Sequence, residues 1–533
     1  MGNPGSQPCG EAAIRSTRGA SPCARSQKRW VLIAAVLAST MAFVDESVVN
    51  VALPRIQTDL GTTLAAMQWV VNAYTLCMSA LLLIGGAAGD QLGRRRLFLV
   101  GVAIFAVASL GCGLAPNAQV LVVSRAVQGV GAAFLIPCSL AIIGAAFDEQ
   151  ERGAAIGIWS GASALAAGLG PMLGGWLVDH TSWRAIFLIN PFLAVIALWI
   201  GLRHLPESRD PDAAPGLDWR GSLLVFAGLG ALVYGLIEAA VLGWDNPLVF
   251  GPVIAGIVLL AAFVLEERRG RAPMMPLQLF RSLRFSGINL LTLLLYGALG
   301  GALFFLPFLL IQVHGFSATA AGAAFIPFAL ILGVLSRWSG QLADRVGARW
   351  PLIIGPTLVA IGFGLLARAT GDPHYSAVLL PMVVLGFGMV ITVTPLTTTV
   401  INAVPERQTG VASGINNAVA SVASLLMIAV LGTVALSALG KSLDRQLASA
   451  PVSTAVKDVI DSARGGFVTP TMPSSLAEPE RRVAHAIIGR SFVASIRLVM
   501  LIAGALALAS ALIAALTIRA AEPERGKSRA DRH

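Results

Sequence analysis

The sequence predicts an all-α integral membrane protein made of two parallel six-helix bundles with a two-helix hairpin inserted between them. Three observations predict this class: the composition, fourteen apolar segments and one internal repeat. Of 533 residues, 56% are hydrophobic and only 12% are charged, whereas soluble domains carry about 25% charged residues. Such a chain would expose large apolar patches in water. The composition therefore excludes an ordinary soluble enzyme and favours a polytopic membrane protein.

Fourteen apolar runs are long enough to cross a bilayer, which requires about 20 residues. The first run carries Asp45 and Glu46 and has no small-residue cleavage site, so it is predicted to be a mature helix, not a signal peptide. The runs lie near 31–53, 65–87, 97–115, 118–143, 153–177, 184–202, 220–242, 247–265, 286–312, 318–338, 351–369, 376–401, 409–438 and 492–518.

The distribution of basic residues predicts the orientation of these spans. With the N-terminus inside, 26 of the 38 basic residues fall in inner segments and 11 in outer segments. This asymmetry places both termini in the cytoplasm and accounts for the net charge of +10 without a nucleic-acid partner. One feature argues against the orientation, because eight of the outer basic residues lie in the single stretch 441–497.

An internal repeat defines the architecture. Gly86–Arg95 aligns without a gap to Gly340–Arg349 at an offset of 254 residues, and each copy lies between two apolar runs. An even number of spans separates the copies, so the two halves are parallel repeats, an arrangement typical of transporters with a binding site at the midplane between the halves. The inserted hairpin and a long outer loop before the last helix break the symmetry.

The repeat divides the chain into five regions. These are an N-terminal tail (1–29), a six-helix bundle (30–203), a linker with the inserted hairpin (204–284), a second bundle with outer loop 441–490 (285–518) and a C-terminal tail (519–533).

Five motifs occur in order at membrane depth or at span ends. The inner-loop motif Gly86–Arg96 is followed by segments that belong to spans four, five and six. The first-span motif is Val44–Pro54. The motifs of spans four, five and six are Arg125–Ala133, Gly170–Gly175 and Trp183–Pro191. On these motifs the chain resembles the major facilitator superfamily, and within it the fourteen-helix drug:proton antiporters of bacteria. Ser47 replaces the usual Thr of the first-span motif.

Asp45 and Glu46 are acids inside a predicted span. Asp45 lies about 14 residues into span one, roughly 21 Å along the helix, where an ionised carboxylate costs at least about 2.5–3.5 kcal/mol. The resemblance implies that Asp45 couples protons to transport; the alternative is a buried acid with a structural role. Glu46 points about 100° away from Asp45. Either it faces the cavity as a cation-binding or second proton site, with Asn50 one turn on, or it faces the outer interface.

Arg125 is a permanent cation within span four, which requires an anion or water beside it. Gln128 and Gly129 share its helix face. The resemblance implies that Arg125 lies near the span-one acid and tunes its proton affinity. A static ion pair is the alternative.

The inner-loop motif places charges at two helix ends. The resemblance implies that Asp90, Gly93 and Arg94 form a latch that stabilises the outward-facing state and breaks on switching, with Asp344 and Arg349 in the second copy. Ala348 stands where the first copy has Arg94, which predicts a weaker latch. The alternative for the arginines is plain positive-inside anchoring.

Gly170, Pro171, Gly174 and Gly175 are expected to bend span five and to permit close helix packing. The resemblance associates this motif with export, although Gly and Pro are also common in membrane helices generally.

The candidate cavity residues combine aromatic rings with amide groups, which suit an amphiphilic or cationic ligand. Helix packing or an interfacial position is an equally good interpretation of each one. They are Asn50, Trp69, Tyr74, Gln128, Phe134, Asn190, Gln312, Asn416 and Asn417.

The function implied by the resemblance is proton-driven export of hydrophobic or cationic small molecules across the bacterial cytoplasmic membrane. Transport of one particular metabolite, in either direction, is the alternative. An ATP-driven pump is disfavoured because Gly440-Lys441-Ser442 lacks the upstream Gly of a phosphate loop. No metal, cofactor or enzymatic constellation is predicted. The expected partners are a small-molecule substrate, protons and the lipid bilayer; a periplasmic or outer-membrane efflux component is left open.

Overall fold

The fold was determined as a computed structural model that describes residues 25–209, 216–270, 274–372, 374–405, 408–449, 452–467, 473 and 476–518. Within these ranges, the side chains of residues 25, 26, 149, 337, 340–345 and 449 lie outside the description.

Six long helices form the N-terminal half, in agreement with the first six predicted spans. Side-chain caps fix several of their starts: Thr63, Asn117 and Asp148 each accept a hydrogen bond from a first-turn backbone N–H, the usual way to satisfy an otherwise orphan donor. The helices are α1 (Arg25–Asp59), α2 (Leu64–Leu92), α3 (Arg94–Gly113), α4 (Ala118–Ala146), α5 (Glu149–His180) and α6 (Ala185–His204).

Two helices, α7 (Trp219–Leu242) and α8 (Pro247–Arg269), form the predicted inserted hairpin. Gly228 and Gly256 allow its two helices to pack closely, because a Cβ at Gly256 would lie 2.7 Å from the carbonyl oxygen of Gly228. The hairpin packs against α2 of the N-terminal half, and the Trp69 and Tyr234 ring centroids are 6.4 Å apart.

The C-terminal half supplies six further spans. Its first span ends in a π-helical turn, Leu309–Val313, and its second is divided into a short and a long helix. The helices are α9 (Leu283–Phe308), α10 (Ala318–Ala323), α11 (Ile326–Val346), α12 (Arg349–Ala369), α13 (Ser376–Ile401), α14 (Thr409–Ser449), α15 (Thr454–Ser462) and α16 (Glu478–Thr517). In the described part of the chain, fourteen helical segments are long and apolar enough to cross a membrane, which confirms the predicted number.

The extent predicted for the outer loop, residues 441–490, was wrong. The last membrane helix begins at Glu478, not near 492, and α14 continues to Ser449. Both extensions are amphipathic, so a hydropathy window misses them. The described part of the segment between them, residues 452–467, contacts the bundle, because the Phe467 ring packs against Phe305 and Phe492 with centroid distances of 5.7 and 5.1 Å.

Alternating helices give the bundle two sides. We call the side where α1 begins and α16 ends the terminal side, and the side that carries residues 60–63, 181–184 and 309–317 the far side. On the far side the two halves are in contact, since Asp179 of α5 accepts hydrogen bonds from the backbone N–H groups of Ala318 and Thr319 at 3.1 and 2.7 Å.

On the terminal side α5 and α11 present open surfaces. A Cβ added at Gly153, Gly157 or Gly161 of α5, or at Gly333 of α11, would have no neighbouring heavy atom within 4 Å. Nearer the far side the same helix is tightly packed, because a Cβ at Gly175 would lie 2.1 Å from the Ala318 carbonyl oxygen. The contact between α5 and the second span of the C-terminal half is thus concentrated towards the far side.

Candidate functional site

A buried ion pair lies in the interior of the N-terminal half. Arg125 Nη1 of α4 donates to Asp45 Oδ2 of α1, and both side chains are only 1% exposed. On the same helix Gly129 lets α4 pack closely on α2, because a Cβ there would lie 2.4 Å from the Tyr74 carbonyl oxygen. The structure therefore brings together the acid and the base that the sequence singled out in separate spans.

Neutral donors complete the coordination of the Asp45 carboxylate. Gln128 Nε2 and Asn190 Nδ2 donate to Asp45 Oδ1 at 2.8 and 2.9 Å. Arg125 also donates to the Gln128 Oε1 at 2.8 Å and to the Val70 carbonyl oxygen at 3.1 Å. A buried charged pair is tolerated when its remaining lone pairs and protons are satisfied in this way. Asp45 is consequently held by helices α4 and α6 at once.

Ser109 is a member of this network that the sequence analysis missed. Its hydroxyl accepts from Asn190 Nδ2 at 2.9 Å and from Gln128 Nε2 at 3.3 Å, and it donates to the Phe187 carbonyl oxygen at 2.9 Å. A single Ser in an apolar span gives little signal, because serine is common in membrane helices. Its position opposite Gln128 on a neighbouring helix is visible only in the structure.

Tyr74 forms an aromatic wall beside the ion pair. The Arg125 guanidinium carbon lies 4.3 Å from the Tyr74 ring centroid, within the range of a cation–π interaction. The Tyr74 hydroxyl and both amide atoms of Asn72 are buried, with no hydrogen-bond partner in the described part of the chain. Buried polar groups of this kind normally have a partner, so these atoms can still form hydrogen bonds.

Glu46 is adjacent to the ion pair in sequence but not part of its hydrogen-bond network. It is half-buried, and its backbone carbonyl accepts from Asn50 Nδ2 at 3.5 Å. The structure places Glu46 on a different face of α1 from Asp45, as helix geometry requires. It is a second titratable acid beside the buried pair.

The inner-loop motif makes contacts within the N-terminal half. Arg94 Nη2 and Asp90 Oδ1 form an ion pair of 2.8 Å, and Gly93 adopts a φ of 118°, a conformation that favours glycine. Glu207, which the sequence analysis missed, accepts from the backbone N–H groups of Arg95 and Arg96 at 3.1 and 3.2 Å. The start of α3 is therefore tied to the segment that follows α6.

In the second copy of the motif, the described contact of Arg349 differs from that of Arg94 in the first copy. Arg349 Nη2 donates weakly to the Ala515 carbonyl oxygen at 3.4 Å. Gly347 has a φ of 76°, so the tight turn is shared by both copies. The side chain of Asp344 lies outside the described residues.

The Gly-Pro motif of span five lies in a helix that continues through Pro171. Gly170 and Gly174 both face α1. A Cβ at Gly170 would lie 1.9 Å from the Ser47 hydroxyl oxygen, and a Cβ at Gly174 would lie 2.9 Å from the Val48 carbonyl oxygen. Gly175 faces α10 instead. The close packing predicted for this motif is present, and it connects α1 to the C-terminal half.

The predicted cavity residues are distributed over several places. Tyr74, Gln128 and Asn190 belong to the network around Asp45, while Trp69 packs on the inserted hairpin. Asn416 is buried in the other half, where it donates to Asn289 Oδ1 at 3.1 Å and to Thr292 Oγ1 at 2.8 Å. The remaining four are half-buried or exposed at other points of the bundle: Asn50, Phe134, Gln312 and Asn417.

The fold and this site define a polytopic membrane protein of the transporter class, with two six-helix halves and a charged pair buried in one of them. The chain belongs to the Major Facilitator Superfamily, whose model matches residues 35–428.

Relatives and solved structures agree with this assignment. The chain is 36% identical over 490 residues to "Multidrug resistance protein Stp" of Mycobacterium tuberculosis (strain CDC 1551 / Oshkosh), covering 89% of each chain. It is 34% identical over 499 residues to the "Tetracenomycin C resistance and export protein" of Streptomyces glaucescens, covering 92% of each. A bacterial homologue of the human lysosomal transporter Spinster shares the fold with a TM-score of 0.66 at 17% identity, over 93% of this chain and 98% of that one.

Proposed function

We propose that this transporter exports hydrophobic or cationic small molecules from the cytoplasm in exchange for protons, by alternating access across the bacterial cytoplasmic membrane, with both termini cytoplasmic. The observation that carries the proposal is the buried Asp45–Arg125 pair. An acid enclosed by protein at membrane depth, and balanced by one permanent cation, is the kind of group that marks proton pathways in transporters.

Proton exchange at Asp45 changes the charge of the whole network. When the carboxylate is protonated, Arg125 loses its counter-ion but keeps its hydrogen bonds to Gln128 and the Val70 carbonyl. When the proton leaves, the ion pair forms again and Arg125 is compensated. Glu46 is a second acid near the same cation and is the candidate for a further proton or for contact with a cationic substrate.

Alternating access requires the far-side contacts to break while the terminal side closes. The contacts to be broken are specific: Asp179 with the start of α10, and Gly175 against Ala318. The open glycines of α5 supply the surface that closes on the terminal side. Because α1 packs directly on Gly170 and Gly174, a change at Asp45 is transmitted to the helix that forms the contact between the halves.

The substrate class is supported by two considerations. The buried aromatic ring of Tyr74 beside a charged pair suits an amphiphilic ligand with a cationic group. The relatives are named for resistance to or export of tetracenomycin C, puromycin and cephamycin, which favours export of compounds of antibiotic size.

The test is transport into inverted membrane vesicles under an imposed pH gradient, with tetraphenylphosphonium and ethidium as lipophilic cation probes. We expect Asp45→Asn to remove proton-driven uptake of both probes, because the amide cannot exchange a proton. The matched control is Glu238→Gln, which neutralises a half-buried acid of the inserted hairpin and is expected to keep wild-type transport.

Protein amounts in the vesicles must be equal in the three samples. Proton-driven uptake by Asp45→Asn at the wild-type rate would contradict the coupling role. Absence of probe transport by the wild-type protein, with or without a gradient, would contradict the proposed substrate class.

A further inference from the structure

A cleft opens between the inserted hairpin and the C-terminal half, near the far side. Its volume is about 620 Å³, within the range of sites that hold small ligands. Helices α7, α14 and α16 supply most of its walls, and the turn after α7 supplies Trp244. The cleft belongs to neither six-helix half alone, and it is separate from the Asp45 network.

The deeper part of the cleft is largely apolar. Leu236 of α7, Val430 and Val434 of α14, and Leu498 of α16 line it. Thr433 closes the bottom by donating to the Leu236 carbonyl oxygen, which ties the hairpin to α14. Apolar walls at membrane depth suit a hydrocarbon chain and give a soluble anion no advantage.

Two cations line the other end of the cleft. Lys441 and Arg445 are both exposed and lie one helical turn apart on α14. Like charges at this spacing repel each other, and neither forms an ion pair within the described part of the chain. The neighbouring Asp444 is already engaged, because its Oδ1 accepts from Arg464 Nη2 at 2.6 Å.

Trp244 lies at the same end of the cleft as Lys441 and Arg445. Its side chain is 55% exposed, and Leu498 on the opposite wall is 39% exposed, so the opening is apolar and faces outward from the helices. Tryptophan is enriched where the hydrocarbon region meets the lipid headgroups. The cleft therefore changes from apolar walls to a basic mouth, just as one lipid leaflet changes from acyl chains to headgroups.

We propose that this cleft binds an anionic phospholipid of the far-side leaflet. Its phosphate lies between Lys441 and Arg445, and one acyl chain lies along the apolar walls between α7, α14 and α16. The lipid fills the gap between the hairpin and the C-terminal half. This role gives a reason for two of the basic residues in 441–497 that oppose the general charge asymmetry of the chain.

The experiment measures quenching of Trp244 by brominated lipids in the full-length protein. Wild type and Trp244→Phe are titrated with brominated phosphatidylglycerol or phosphatidylcholine in detergent, and the difference between the two proteins isolates the Trp244 signal. We expect phosphatidylglycerol to bind preferentially. In the Lys441→Gln/Arg445→Gln variant we expect its affinity to fall about 30-fold, or about fivefold for each basic residue near a charged membrane surface.

Two further variants separate the cleft from general surface charge. Arg368→Gln/Lys457→Gln removes one Arg and one Lys that are exposed on the same side of the bundle but do not line the cleft, and it is expected to bind like wild type. Ala494→Phe fills the cleft from α16 and keeps both cations, so it is expected to lose lipid binding while retaining the fold by circular dichroism.

Several results would overturn the proposal. These are equal quenching by the two lipids, unchanged affinity in the Lys441/Arg445 variant or in Ala494→Phe, and an equal loss in the control variant. Glycerol phosphate is the soluble competitor. If it displaced phosphatidylglycerol at equal concentration, the site would recognise a free phosphate group and not a lipid.

Discussion

The two halves of the protein share one architecture but bury different chemistry. Both have six membrane helices and a copy of the same loop motif at an offset of 254 residues. The position that corresponds to Asp45 by this offset is Leu299, and the position that corresponds to Arg125 is Leu379. The N-terminal half therefore buries a charged pair where the C-terminal half has two leucines.

The buried polar cluster around Asn416 in the C-terminal half is neutral. Asn416 contacts Asn289 and Thr292, an arrangement that can bind a ligand but cannot change its charge near neutral pH. The difference shows that a repeated scaffold does not repeat its chemistry. On this account the N-terminal half carries proton coupling, and the C-terminal half contributes a surface that moves against it.

The largest expected effect comes from removing the cation of the pair. Arg125→Met leaves Asp45 buried without its counter-ion, and breaking a buried pair on one side costs about 3–5 kcal/mol. The equivalent change in the other half, Leu379→Met, preserves apolar volume and is expected to cost less than about 1.5 kcal/mol. Thermal unfolding in detergent and vesicle transport measure both. Equal stability of the two variants would remove the distinction between the halves.

The next effect concerns the contact between the halves. A Cβ at Gly175 meets the Ala318 carbonyl oxygen at 2.1 Å, whereas one at Gly157 meets nothing within 4 Å. Gly175→Ala is therefore expected to destabilise the far-side contact by about 1–3 kcal/mol, and Gly157→Ala to change stability by no more than about 1 kcal/mol. A cysteine-accessibility assay at the far side checks this. An unchanged accessibility in Gly175→Ala would contradict the assigned contact.

A smaller effect is expected at the loop motif. Glu207→Gln replaces charge-assisted hydrogen bonds to the start of α3 with weaker neutral ones. We expect a loss of about 1 kcal/mol and a turnover about fivefold slower, with little change in substrate affinity. Arg349→Gln in the second copy removes one long hydrogen bond among the described residues and serves as the comparison. A larger effect of Arg349→Gln would reverse the assignment of the stronger latch.

The smallest effect on transport is expected in the neutral Asn416 cluster of the C-terminal half. Asn416→Ala removes hydrogen bonds to Asn289 and Thr292, and such bonds average about 0.6 kcal/mol in membrane proteins. The pH dependence of transport should remain that of the wild type, because no titratable group is lost. A shifted pH profile, measured over the same vesicle gradient, would place proton coupling partly in this half.

The fold was largely predictable because membrane helices can be recognised in a sequence by their length and apolarity. The need to compensate the buried charges was also predictable, since a charge in an apolar span requires a partner, whereas the pairing of Asp45 with Arg125 was implied by the family resemblance. Glu207 and Ser109 were not, because their roles depend on which helix ends and faces meet in space. The start of α16 was misplaced for a related reason: residues 478–491 mix charged side chains with buried apolar ones such as Ile487 and Ile488, and their contacts with Gln446 of α14 are visible only in the structure.

Proton release on substrate binding tests the central claim most directly. Purified protein in weakly buffered detergent is mixed with a probe that it transports, and a pH indicator records the protons released. We predict release by wild type and by Glu238→Gln, and none by Asp45→Asn, with probe binding confirmed separately for each. Release of the same number of protons by Asp45→Asn would show that proton exchange occurs at another group and would contradict the account.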